Sequence, residues 1–195
     1  MSSSPGLAAP TGPSGDGGLT GSETGDTGKA AFVDALRRLG RRDHSVTEMR
    51  RALRRKGFAG EQIEGAIERL CKAGYLDDAN FAERFAISRM GSRGQGRNRV
   101  RADLRRRGIP ASTAEPALER ALRDVSETEA LDTLASKYWR QRSRDEPARR
   151  MRKLWAFLVR RGYPAGLVSE RLRALWPRWS DTVEDLEPAA SPDEP

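Results

Sequence analysis

The sequence predicts an all-α fold, an elongated tandem array of three three-helix repeats with disordered N- and C-terminal tails. One phrase, in which a leucine and a basic run precede a glycine and a bulky apolar residue, occurs three times. The copies occupy residues 53–58, 104–109 and 158–163. Their glycines, Gly57, Gly108 and Gly162, lie 51 and 54 positions apart, a spacing typical of repeat proteins. Between the tails, apolar residues recur at helical spacing and no segment alternates as a strand does. Because one such unit buries little surface alone, we expect neighbouring units to complete its core.

The first repeat shows clear helix signals. Residues 32–39 form its first helix, and the run from Ser45 to Glu48 has the pattern of a capping box at the start of its second. Gly57 can adopt the left-handed conformation that ends such a helix. A third helix follows at about residues 60–72.

The later repeats follow the same plan. The adjacent acids Asp77 and Asp78 are interpreted as caps of the next helix. The run from Ser112 to Glu115 predicts another capping box, and Ser126 predicts the start of a helix in the third repeat.

The chain divides by composition into five segments. Both ends lack Lys and Arg: the first is rich in Gly, Ser, Thr and Pro and the last in acids, compositions that favour disorder. The predicted segments are a leader over residues 1–28, helical repeats over 29–76, 77–124 and 125–179, and an acidic tail over 180–195.

The charge is concentrated between the tails. The whole chain of 195 residues carries +8, and setting aside the nine acids of residues 1–28 and 181–195 leaves +17 on residues 29–180. Such an excess repels itself on folding, which favours a polyanionic partner. With one cysteine, Cys71, and one histidine, His44, neither a disulfide framework nor a Cys/His zinc site is expected, and we predict no cofactor.

The candidate binding residues are basic. Between Arg93 and Arg106 the arginines follow a glycine-rich stretch, and guanidinium groups pair well with phosphate or carboxylate oxygens. A helix starting near Gly96 would place Arg97, Arg101 and Arg105 in one stripe. The alternative is a solvated stripe with partial pairing to Asp103 and Glu119. The full predicted set is Arg54, Arg55, Lys56, Arg93, Arg97, Arg99, Arg101, Arg105, Arg106, Arg150 and Lys153.

Several of these patterns also occur together in one known family. They are the run Arg42-Asp43-His44-Ser45, Glu48, Leu53, Lys56-Gly57-Phe58, the run Gly74-Tyr75-Leu76-Asp77-Asp78, Phe81-Ala82 and Arg107-Gly108-Ile109. In this order and spacing they resemble the bacterial RecX regulatory proteins, over about residues 31–176. The resemblance implies a tandem array of three-helix repeats that lies along the RecA filament on single-stranded DNA. It implies modulation, usually inhibition, of RecA's strand exchange, ATPase and coprotease activities in recombination, DNA repair and the SOS response. Because the chain has one cysteine and no apolar run long enough to span a bilayer, we expect a cytoplasmic protein, and we expect a monomer.

Other functions are less well supported. The chain has no Walker-type loop and no spacing typical of a nucleophile and its base, so we expect a regulator without catalytic activity. It also has no apolar run long enough to span a bilayer, so we expect no membrane association. Two alternatives stay open. The first is a helix-turn-helix-like DNA-binding transcription regulator, because a capped helix, Gly57 and a second helix resemble that motif. The second is a protein-only helical scaffold. Phosphate contacts are expected with single-stranded DNA, and duplex DNA is a further candidate.

Overall fold

The computed structural model describes residues 21–186, and within that range the chain folds into ten α-helices with no β-strand. The α-helices are α1 Gly21–Leu39, α2 Val46–Arg55, α3 Gly60–Lys72, α4 Asp78–Ile87, α5 Arg97–Arg106, α6 Ala111–Asp124, α7 Glu127–Gln141, α8 Pro147–Arg160, α9 Ala165–Leu175 and α10 Ser180–Glu184. A π-helical turn, Ser88–Ser92, continues α4, and a short 3₁₀ turn, Pro177–Trp179, precedes α10. None of the helices in residues 21–186 is both long and apolar enough to cross a bilayer.

The helices form three three-helix units in tandem, which confirms the predicted fold class. Unit 1 contains α1–α3, unit 2 contains α4–α6, and unit 3 contains α7–α9 with α10 packed on α8 and α9. Each unit has its own apolar core, built around Leu53, Leu104 and Leu158 respectively. The three helices of each unit therefore enclose a complete core. We expected neighbouring units to complete each other's apolar cores, but other contacts join the units.

The ends of the fold differ from the predicted tails. Helix α1 begins at Gly21, so residues 21–28 of the predicted leader are helical, and α10 lies within the predicted acidic tail. Extending a helix that is already anchored by packing costs little for each added residue, and composition alone does not reveal such an extension. Residues 1–20 and 187–195, where the remainder of both predicted tails falls, lie outside the described residues.

The capping box of unit 1 is present. The backbone amide of Glu48 donates to Ser45 Oγ over 3.1 Å, and the Ser45 amide donates to Glu48 Oε2 over 3.4 Å. The two adjacent acids divide their roles: Asp77 caps α4, whereas the Asp78 carboxylate accepts the Val46 amide of α2 over 2.9 Å. Asp78 therefore ties α4 to the start of α2.

The capping box predicted at Ser112 is wrong. Helix α6 begins earlier, at Ala111, and follows Pro110 without a side-chain cap. Glu115 is then one turn inside the helix, where its carboxylate pairs with Arg101. Pro110 fixes its own φ near the value that the chain needs just before a helix, so the helix starts there without help from Ser112.

The three corner glycines adopt the predicted conformation. Gly57, Gly108 and Gly162 have φ of 94°, 82° and 92°. A Cβ on Gly57 would meet open space, whereas a Cβ on Gly108 would lie 2.5 Å from Cβ of Thr47, and one on Gly162 would overlap the backbone of Arg99. The second and third corners are thus packed against the preceding unit.

These packed corners form the two joints between units. In the first joint, the hydroxyls of Ser45 and Thr47 donate to the carbonyls of Arg107 and Gly108 over 2.7 and 3.3 Å. The second joint is made the same way: the amides of Gly96 and Asn98 donate to the carbonyls of Arg161 and Gly162, each over 3.0 Å. Each joint therefore sets the end of one helix against the start of another, which satisfies groups that would otherwise lack partners.

Candidate functional site

Two of the predicted binding residues form ion pairs inside the fold: Arg97 at the second joint and Arg101 within unit 2. Arg97 donates through Nε to Glu127 Oε2 over 2.6 Å, and its backbone amide donates to Oε1 over 2.7 Å. Glu127 is only 5% exposed, so its carboxylate depends on these contacts. Arg101 makes a bidentate pair with Glu115, with Nε and Nη2 at 2.6 and 2.8 Å. This pair raises the pKa of Arg101 and lowers that of Glu115.

The predicted stripe is therefore divided. Arg97 and Arg101 are in ion pairs, whereas Arg105 is exposed and makes no ion pair with a described residue. Asp103 does take part in pairing, but with Arg99 at 3.4 Å and with Arg106. Glu119 forms no ion pair within residues 21–186.

Three further predicted residues also have partners within the fold. Lys56 pairs with Asp34 of α1, and Lys153 pairs with Asp145 over 3.0 Å. Arg150 is buried, stacks 3.7 Å from the Trp139 ring centroid and donates to the Arg142 carbonyl over 3.1 Å. The other predicted residues, Arg54, Arg55 and Arg93, are exposed and make no ion pair in the described part of the chain.

A row of three arginine-rich clefts extends over all three units, with one lining residue shared between neighbouring clefts. Its first section, a cleft of about 530 Å³ beside α1 and α2, is lined by Arg38, Arg41, Arg42, Arg51, Arg55 and Arg106. The second section shares Arg42 with the first and adds Arg84, Arg89, Arg93 and Arg107. The third section shares Arg93 with the second and adds Lys137 and Arg161, together with the acids Asp124 and Glu129. We call these three adjoining clefts together the arginine groove.

Some cations of the groove have intramolecular partners. Arg107 and Arg42 pair with Glu48, at 2.5 and 3.0 Å, and Arg84 pairs with Asp43. Burial acts to raise the pKa of Glu48, but the hydrogen bond from Arg42 and the charge of Arg107 outweigh it, so the pKa lies below its ordinary value. Arg41, Arg51, Arg55, Arg89 and Arg93 make no ion pair with a described residue.

The second section combines cations with aromatic rings. The guanidinium groups of Arg89 and Arg107 lie 4.7 and 4.8 Å from the Phe85 ring centroid, and Phe85 stacks on Phe81 at 5.9 Å. Burial, followed by the charges of Arg93 and Arg107, lowers the pKa of Arg89. This part of the groove is thus a site of concentrated positive charge that an anion would neutralise.

His44 also lines the arginine groove, but its side chain is neutral. It lines the first section, is 8% exposed, and its Nδ1 lies 2.9 Å from the Arg42 carbonyl oxygen. Burial lowers its pKa, so the neutral ring helps to fix the loop that carries Arg42.

A second basic surface lies on unit 3. It surrounds Tyr138 between α7 and α8 and shares no lining residue with the arginine groove. We call it the unit 3 patch; its cations are Arg142, Arg149, Arg152, Lys153 and Arg160.

Most of the groove was not predicted from the sequence. Of its cations, only Arg55, Arg93 and Arg106 belong to the predicted set, and the others lie on α1, α2, α4 and α7 or in the segments that follow helices. The spacing of Arg51 and Arg55, four residues apart on α2, is a local signal that does identify one face.

Comparison with known proteins identifies all three units. Family models for the first, second and third three-helix domains of RecX match residues 31–70, 77–118 and 126–172. A regulatory protein RecX from Trichlorobacter lovleyi is 33% identical over 142 residues, covering 71% of this chain and 91% of that protein. One from Amycolatopsis mediterranei is 36% identical over 136 residues, covering 68% of this chain and 77% of that protein.

Solved structures show the same fold. The crystal structure of RecX from Lactobacillus salivarius superimposes with a TM-score of 0.70 at 22% identity, covering 77% of this chain and 97% of that one. A second crystal structure of a regulatory protein RecX gives a TM-score of 0.66 at 22% identity, covering 74% of this chain and 71% of that one. With three matched domains in the family's order and relatives aligned over most of their length, the chain belongs to the RecX family of regulatory proteins.

Proposed function

We propose that this protein binds the RecA filament on single-stranded DNA through the arginine groove and inhibits the filament's recombinase, ATPase and coprotease activities. The observation that carries the proposal is that three adjoining basic clefts extend over the three units, with Arg42 and Arg93 each lining two of them. A long positive surface fits a long polyanion better than it fits a small ligand.

The groove offers two modes of contact. Exposed guanidinium groups such as Arg51, Arg55 and Arg93 can form bidentate hydrogen bonds with phosphate oxygens of the DNA or with carboxylates on the recombinase. Binding along several recombinase subunits would block incoming DNA and cleavage substrates by occupancy. Such a mechanism requires no catalytic group and no cofactor in the regulator. The regulator acts as a monomer.

The helix-turn-helix alternative is disfavoured by the surface of α3. That helix would be the recognition helix, and its residues would have to enter the major groove between phosphates. Its exposed residues include Glu61, Glu64 and Glu68 as well as Arg69 and Lys72. Glu64 pairs with Arg50 and Glu68 pairs with Lys72, so α3 carries no excess of positive charge that would attract DNA. A protein-only scaffold is disfavoured by the exposed groove arginines that make no ion pair within the described residues, such as Arg51, Arg55 and Arg93.

The proposal is tested by RecA-catalysed ATP hydrolysis on single-stranded DNA, titrated with three forms of the protein. They are the wild type, a groove variant R51E/R55E/R93E, and a control variant R123E/R140E/R144E with the same change in net charge. The control residues are exposed, lie outside the groove, and make no ion pair within residues 21–186.

We expect the wild type and the control variant to inhibit hydrolysis at well below one regulator per recombinase subunit. The groove variant should need a much higher concentration because it has lost three phosphate or carboxylate contacts. Circular dichroism establishes that all three forms are folded. Equal inhibition by the groove variant, or equal loss in both variants, would exclude the groove as the contact surface.

A further inference from the structure

The unit 3 patch has more positive charge than its own fold neutralises. Lys153 is the one patch residue in an ion pair within the described part of the chain, with Asp145. The nearby Glu146 carboxylate accepts the amides of Ala148 and Arg149 over 2.9 and 2.7 Å, so it caps α8. Four guanidinium groups therefore surround the cleft without a bound carboxylate: those of Arg142, Arg149, Arg152 and Arg160.

The patch differs in character from the arginine groove. The two surfaces share no lining residue, and the cleft of the patch, about 500 Å³, is confined to α7 and α8. Its aromatic member, Tyr138, is 8% exposed and lies under Arg142, whose guanidinium carbon is 4.2 Å from the ring centroid. The cleft thus presents guanidinium groups and little aromatic surface, which suits a short acidic peptide.

An acidic segment begins at helix α10, which packs on the patch helix α8. Residues 181–195 contain six acids and no Lys or Arg. The first three, Asp181, Glu184 and Asp185, are exposed and make no ion pair with a described residue. Helix α10, which carries or precedes them, packs on α8 and α9 through the fully buried Val183. The acidic segment therefore leaves the fold from an element that contacts the patch helix.

The remaining residues are long enough to reach the patch. Helix α8 has 14 residues and is about 21 Å long at 1.5 Å for each residue. Residues 187–195, if extended, span about 30 Å. Starting from a helix that contacts α8, they can reach any point along it.

We propose that residues 187–195 bind the unit 3 patch of the same molecule, with Glu187, Asp193 and Glu194 pairing with its free guanidinium groups. Charge-assisted hydrogen bonds between carboxylate and guanidinium provide the attraction. Because they form at the surface, salt weakens them. The segment then acts as an internal competitor that keeps weakly bound polyanions off unit 3.

The proposal is tested on the isolated protein by paramagnetic relaxation enhancement. A nitroxide is attached at S191C in a C71S background, which removes the chain's one natural cysteine. At low salt we expect loss of most of the amide cross-peak intensity at Arg142, Arg149, Arg152 and Arg160, with recovery at about 1 M salt, where the Debye length is about 3 Å. Amides on the groove side of unit 1 should keep their intensity.

Two matched samples decide the interpretation. The variant E187Q/D193N/E194Q with the same label should show little broadening on α8, whereas E61Q/E119Q/E170Q, which removes three exposed acids elsewhere, should behave as the wild type. The proposal would be overturned by any of three results: no broadening on α8, equal broadening in E187Q/D193N/E194Q, or broadening of unlabelled chains in a mixed sample. Because the samples contain neither recombinase nor DNA, this result is independent of the proposed function.

Discussion

Arg97 and Glu127 form an ion pair across the second joint, with Nε of Arg97 2.6 Å from Oε2 of a carboxylate that is only 5% exposed. Glu127 is the first residue of α7, and Arg97 is the first residue of α5. The pair therefore fixes the orientation of unit 3 relative to unit 2, and it removes Arg97 from the set of arginines that face solvent without a partner.

Replacing Arg97 should destabilise the protein. In R97A the Glu127 carboxylate stays buried without its charged partner, which we expect to cost about 2 kcal/mol of unfolding free energy. For a protein of this size that corresponds to a fall in Tm of about 4–8 °C. Thermal unfolding followed by circular dichroism measures it. R105A, which removes an exposed arginine from the same helix, should stay within about 0.5 kcal/mol of the wild type, and equal losses in the two variants would contradict the assignment of Arg97 to the joint.

The corner glycines should differ in their tolerance of alanine. G57A introduces a Cβ at positive φ into open space and should cost about 1 kcal/mol. G108A has the same backbone strain and also sets its Cβ 2.5 Å from that of Thr47, which should add about 2 kcal/mol through overpacking at the joint. Urea unfolding measures the free energy of unfolding of both variants. Equal destabilisation would show that the first joint accommodates the added Cβ without a packing cost.

The Glu48 carboxylate should contribute to acid sensitivity. Burial acts to raise its pKa, but the hydrogen bond from Arg42 and the charge of Arg107 hold the pKa below its ordinary value of 4.5. The stability contributed by the ionised form is then complete above about pH 4.5 and is lost as the pH falls through the lower folded-state pKa.

We therefore expect E48Q to be less stable than the wild type at pH 7 and to lose less stability between about pH 5 and pH 3. Urea unfolding at a series of pH values tests this, with E61Q, an exposed acid outside the ion pairs of the described chain, as the control. Parallel pH profiles for E48Q and the wild type would show that Glu48 is not held ionised by its arginines.

Features with local signals could be predicted from the sequence. The capping box at Ser45 and the left-handed glycines at 57, 108 and 162 are each decided by a few neighbouring residues, and the structure contains all of them. The repeated phrase predicts three units because each copy ends the second helix of its unit. The capping box at Ser112 is wrong because the signal of Pro110 lies earlier and starts the helix first.

The partners of the arginines could not be predicted in this way. Arg97 and Glu127 are 30 residues apart, and Arg107 and Glu48 are 59 residues apart. Such pairs depend on how the joints set one unit against the next. The arginine groove depends on the same arrangement, since Arg42 of unit 1 meets Arg93 and Arg107 of unit 2 only after the two units are joined.

The central claim is that the arginine groove contacts the nucleoprotein filament. Its most direct test is the affinity of the protein for RecA filaments assembled on fluorescent single-stranded DNA, measured by anisotropy over a range of salt concentrations. If the three mutated arginines contact phosphates, R51E/R55E/R93E should bind more weakly and show a slope of log affinity against log salt that is smaller by about 2, whereas R123E/R140E/R144E should match the wild type. Unchanged affinity and slope in the groove variant would contradict the account.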